Sequence, residues 1–163
     1  MKMKTGKLFY DITEKQVKTM KYDSASGDYY ALVLEAQKNG CRQVILTSDI
    51  MIKIAEFFLT TESVAITEIA FFVEDNDLQE DIKQLIELLP QNAVYWSALK
   101  DKIKFLSEYD SIDIKRISFR GIGDGGFLIS LFVNGIISIE AAEDHCLLSA
   151  TALNLKRMIK HAG

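Results

Sequence analysis

The spacing of apolar residues changes along the chain, and each change marks an element. Residues 7–12 read as a short first strand, with residues 1–6 ahead of it expected to be flexible. Thr13 is placed to cap a brief helix over residues 14–20. Residues 23–27, Asp-Ser-Ala-Ser-Gly, are a loop by composition. Over residues 28–39, Tyr29, Leu32, Val33 and Ala36 fall at i, i+3, i+4 and i+7, one face of a helix that Asn39-Gly40 stops. Residues 41–47 predict a buried strand. Thr47 or Ser48 then caps a helix over residues 49–59 whose Ile50, Met51, Ile54, Ala55, Phe57 and Phe58 wrap most of its circumference, the mark of a central helix. Residues 66–73 predict another strand.

Asp77 opens a helix with Glu80 three residues on, in the manner of a capping box. Leu78, Ile82, Leu85, Ile86 and Leu89 form its stripe, and Pro90 ends it. Asn92 caps a following helix with the stripe Tyr95, Leu99, Ile103 and Leu106. Two such helices joined by a short turn predict a helical hairpin lying on a sheet. From Ser111 the period becomes two. Residues 117–122, 127–133 and 136–139 predict three strands, joined at Asp124-Gly125 and Asn134-Gly135, both signals for two-residue type I′ turns. A last helix spans about residues 141–161, acidic at its start and basic at its end. The fold expected is α+β: a largely antiparallel sheet with a three-stranded meander over about residues 112–139, packed by several amphipathic helices.

The two turns predict a register, and register predicts faces. Two-residue turns pair Ile122 with Phe127, Arg120 with Ile129, Ser118 with Leu131 and Val133 with Ile136. The core face then carries Ile117, Phe119, Leu128, Phe132, Ile137 and Ile139. The opposite face carries Ile129 and Leu131 among other apolar residues, and a cross-strand row Arg120–Ile129–Glu140. An apolar centre rimmed by charge is the make-up of a partner-binding surface, so Arg120, Ile129, Leu131 and Glu140 are candidate contacts.

Composition bounds the classes available. The 163 residues are 48% apolar and 26% charged, enough for a core in one domain and unlike a disordered chain. Two cysteines exclude a disulfide scaffold. No apolar run approaches the ~18 residues of a membrane helix, and the basic start lacks the ~7–15-residue apolar stretch of a signal peptide, which predicts a cytoplasmic protein.

Charge adds more. The net −4 divides into +4 over residues 1–21, −9 over residues 22–99 and +1 over residues 100–163. Such a middle segment disfavours nucleic acid and anionic membranes and favours a basic protein partner. Asp77, Glu80, Asp81 and Glu87 lie off the apolar stripe and should meet solvent, the first candidates for that contact.

Catalytic patterns are sparse. His145 and His161, sixteen positions apart on one predicted helix, lie about 160° apart around its axis and share no site. Adjacent residues in Asp144-His145-Cys146 point apart on a helix. There is no spaced Cys/His set for zinc, so neither metal nor cofactor is expected. The glycine-rich residues 121–126 lie between strands, not before a helix, and read as a hairpin. Trp96 is a candidate interface anchor. The reading is a non-enzymatic module, monomer or homodimer, that neutralises a basic partner, most concretely a toxin-immunity protein. A small-ligand protein or enzyme using scattered carboxylates and aromatics is the alternative, and an obligate oligomer subunit the next.

Overall fold

The computed structural model describes residues 2–23, 29–61, 64–122 and 126–141. Strand β1 (Lys2–Asp11) organises the sheet by pairing with three others. One edge takes β2 (Gln16–Lys21), with Asp11 opposite Gln16. The other edge takes β3 (Cys41–Gln43) beside its last three residues and β7 (Ile136–Ala141) beside its first half. From β7 the sheet continues through β6 (Phe127–Phe132) and β5 (Ile114–Gly121) to β4 (Val64–Phe71), every pairing antiparallel. With helices α1 (Tyr29–Lys38), α2 (Ser48–Thr61), α3 (Asn76–Leu88) and α4 (Val94–Tyr109), the α+β architecture is the one expected.

The two sheet faces are covered differently. Leu8 belongs to the main core, which α2, α3 and α4 build against the sheet with Met51, Ile54, Ile82, Leu99 and Ile103. Its neighbour Phe9, on the opposite face by strand alternation, packs with Val33 and Ala36 of α1 and Cys41. Phe58 of α2 meets Phe119 of β5 edge-on, ring centres 5.2 Å apart. The stripes read for α1, α3 and α4 are the faces they bury.

Five expectations need correction. Residues 2–6, expected to be flexible, are the first half of β1, held by β7. Residues 14–20, expected to be helical, enter β2. Asp11 accepts the backbone N–H groups of Thr13 and Glu14 at 2.9 and 3.0 Å, and Lys15 turns to φ +55, so the chain reverses where a helix would have started. The strand over 41–47 ends as β3 at Gln43; beyond it Val44 and Leu46 donate to the Leu8 and Val133 carbonyls, at 3.3 and 2.8 Å. Ala141, expected to open the last helix, ends β7. The rest of that predicted helix, with His145, Cys146 and His161, and the Asp124-Gly125 turn lie outside the described residues.

The fifth correction is the register. Arg120 faces Leu128, Phe119 faces Ile129 and Leu131 faces Ile137, one residue away from the expected pairing in each hairpin. Both connections hold an odd number of residues where an even number was expected. At residues 133–135 only Gly135 has positive φ (+79), whereas a type I′ turn needs it at Asn134 too. The Gly135 N–H closes on the Phe132 carbonyl at 2.9 Å, a three-residue loop ending in a left-handed glycine. The shifts cancel at β7, so β5 and β7 keep their expected faces while β6 is inverted. Ile129 and Leu131 are core residues, 3% and 0% exposed, and Leu128 looks outward.

Candidate functional site

α3 carries the acids at the surface. Asp75, not Asp77, is its cap: one carboxylate oxygen accepts the N–H groups of Asp77 and Leu78 at 3.0 and 3.1 Å. Asp77 therefore sits in the first turn, where a negative charge suits the helix dipole. At 100° per residue Asp77, Glu80, Asp81 and Glu87 fall within an arc of about 120°, opposite the stripe that buries Leu78 and Ile82. All four are exposed. Among them Asp81 alone is paired among the described residues, reaching Lys102 of α4 at 3.7 Å. Glu74 and Asp75, also exposed, continue the acidic ridge toward β4. Asn92 Oδ1 accepts the Val94 N–H at 3.0 Å, one position ahead of Ala93, which caps α4 in place of the expected Asn92.

Trp96 is half-buried against the main core rather than free. Its Nε1–H donates to Glu56 of α2 at 3.0 Å, and Lys100 joins the same oxygen at 2.9 Å while lying 5.8 Å from the indole centre. The indole N–H, and after it the Lys100 ammonium, hold the Glu56 carboxyl below its ordinary pKa. This three-residue knot fastens α2 to α4 and uses up the polar end of the tryptophan.

On the sheet face opposite α2, the cross-strand row reads Arg120–Leu128–Glu140–Met3. Arg120 and Glu140 therefore keep their expected place, while Leu128 replaces Ile129. The next row, Ser118–Ser130–Ser138–Thr5, is hydroxylic, with Ser118 and Ser130 hydrogen-bonded at 2.9 Å. The centre of this face is polar where an apolar contact patch was expected.

Two polar constellations were not anticipated. Lys7 is 0% exposed yet carries an ammonium. Its Nζ donates to the carbonyls of Asn134 and Val44 and lies 5.6 and 6.0 Å from the ring centres of Phe9 and Tyr29. No carboxylate answers it among the described residues, and burial lowers its pKa to about 8. The second constellation joins three distant positions. Asp113 Oδ1 accepts the hydroxyls of Ser48 and Ser107 at 3.0 and 2.7 Å, and Ser48 Oγ accepts the Ile114 N–H at 2.9 Å. Ser111, at φ +54, bends the chain out of α4 so that Asp113 arrives there.

No family model, curated protein or solved structure matches this chain. No described helix is long and apolar enough to cross a membrane. Among the described residues no three His, Cys, Asp or Glu side chains converge as a metal-binding group.

Proposed function

We propose that the chain is a protein-binding module for a basic partner, engaged through the acidic ridge of α3. The observation that supports this reading is the separation of the helix into two faces. Leu78 and Ile82 fix it to the core, so Asp77, Glu80, Asp81 and Glu87 are presented on a rigid support, with Lys102 paired to Asp81 and Lys83 exposed on the same helix. Fixed charges of one sign raise encounter rates with an opposite partner by ~10–10³ at low salt. Arg120 and Glu140 on the sheet belong to a different surface and are not needed for this contact. A cytoplasmic inhibitor of a cationic toxin domain is the most concrete form of the reading.

The test is kinetic. The partner is captured from the native host, and association is measured for the parent chain and for Asp77→Asn combined with Glu80→Lys, Asp81→Lys and Glu87→Lys. Asn keeps a neutral side chain of similar size at Asp77. The expected result is slower association, by about tenfold or more at low salt, with a flattened salt dependence. An acidic partner, or an unchanged rate at low salt, would refute the reading.

A further inference from the structure

A cavity of about 520 Å³ opens where the end of β4, the start of α2 and the connection from α4 to β5 meet. That volume is in the range of small-ligand pockets. Ile45 and Phe72, 52% and 58% exposed, stand on its apolar side. Asp49, Ser107, Ser111 and Asp113 supply its polar side. Among the described residues no lysine, arginine or histidine lines it.

Asp113 is the chemical focus. Its Oδ1 is held by two hydroxyl donors, one of them from Ser48, which is 5% exposed and itself pinned by the Ile114 N–H. Its backbone carbonyl is pinned as well, by the Phe72 N–H at 3.2 Å. Oδ2 takes no hydrogen bond and no cation pairs with the carboxylate among the described residues. The carboxylate, on an exposed residue, is thus oriented at the cavity wall with no ion pair among the described residues.

The alternatives fit less well. The N-terminus of α2 would ordinarily attract an anion, but Thr47 Oγ1 already accepts the Ile50 N–H at 3.3 Å, and Asp49 fills the first turn. Asp49 is paired with Lys53 at 3.1 Å, and the Asp113 carboxylate, which has no ion pair among the described residues, disfavours an anion in the wall. A metal ion would want more ligands than the site offers.

We propose that this cavity binds a cationic group carried on an apolar stem, an alkylammonium or alkylguanidinium, with Asp113 as its counter-ion and Ile45 and Phe72 flanking the stem. Such a group is found on a partner's lysine or arginine side chain and on free polyamines. The site stands independently of the α3 ridge, since it is lined by none of the ridge acids.

Amide chemical shifts of the ¹⁵N-labelled full chain, followed during titration, test this. The probes are capped lysine and capped arginine for the protein source, spermidine and agmatine for the free-amine source, and n-butanol and acetate as neutral and anionic controls. Saturable shifts centred on Phe72 and residues 111–114 are expected with the cations alone. Asp113→Asn, which keeps an oxygen to accept the Ser48 and Ser107 hydroxyls, should weaken binding about tenfold. Phe72→Ala, at an exposed position, should weaken it several-fold without touching that network, and serves if Asp113→Asn misfolds. Tighter binding of the capped residues assigns a protein partner, and tighter binding of the polyamines a small ligand; both uphold the site. No saturable shift with any cation, equal shifts with acetate, or unchanged affinity in both variants overturns it. The α3 charge-reversal variant should bind the probes as the parent does, so failure of either proposal is read separately.

Discussion

Replacing Lys7 with methionine should make stability independent of pH over a range where the parent chain gains it. The ammonium is fully buried and meets only carbonyl dipoles and aromatic rings, so the folded state holds the proton weakly, with a pKa of about 8 against an ordinary 10.5. Below pH 8 both folded and unfolded chains carry the charge, and the folded chain bears the full cost of burying it. Between the two values the unfolded chain binds more protons, so stability rises with pH. At 1.36 kcal/mol per unit of pKa the whole effect is about 3 kcal/mol. About 2 kcal/mol of it falls between pH 7 and pH 9.5. Tyr29, whose pKa burial pushes above the ordinary 10, and Lys18, raised first by its hydrogen bond to Glu14 and then by Asp11, titrate above that window. In Lys7→Met this rise should vanish. The net gain at pH 7 should be smaller, about 1 kcal/mol, because the carbonyls of Val44 and Asn134 lose a donor. Urea unfolding followed by circular dichroism at half-unit pH steps measures both curves. If parent and variant run parallel in pH, Lys7 is not a buried charge and the reasoning fails.

Two further outcomes test the sheet. Ile129→Asp should unfold the protein, at a cost of several kcal/mol, because it puts a carboxylate into the core; a folded variant by circular dichroism and gel filtration would restore the even-loop register. Gly135→Ala should destabilise by about 2 kcal/mol or more, since its Cβ would lie 2.3 Å from the Val44 carbonyl oxygen and 2.9 Å from Lys7 Nζ at a φ of +79; a melting temperature equal to the parent's would contradict the turn geometry.

What the sequence made legible was local. The α3 and α4 stripes follow from a 3.6-residue period over a dozen positions or more, and the exposure of the four α3 acids follows from the same arithmetic. The face of β6 did not follow, because it depends on whether two loops hold odd or even numbers of residues, and Asn-Gly serves both a type I′ turn and a three-residue loop. β2 was missed for a related reason: Asp11 takes the same two N–H groups a helix cap takes, and only Lys15 at positive φ turns the chain back onto β1, with no helical or strand period in residues 14–20 to announce it. Ser48, Ser107 and Asp113 have no common period at all. Only the placing of α2, α4 and β5 brings them together, so no local pattern in the sequence could have named that site.

The pairing of β1 with β7 sets a condition on how the molecule is made. Lys7 and Ile136, paired in the sheet, are 129 positions apart, so on a growing chain the β1–β2 hairpin exists long before β7 leaves the ribosome. In that interval one edge of β1 lacks β7, and β2 remains an edge strand even in the finished sheet. Open edges recruit other strands, and lysine is the residue that most discourages them. The first 21 residues hold six lysines. Lys21 on β2 and Lys4 and Lys7 on β1 put that charge on these strands, whereas Lys18 is paired with Asp11 and Glu14 at 2.9 and 2.8 Å. One of them, Lys7, is enclosed when β7 docks, so its charge is open to water on the unfinished sheet and buried in the finished one.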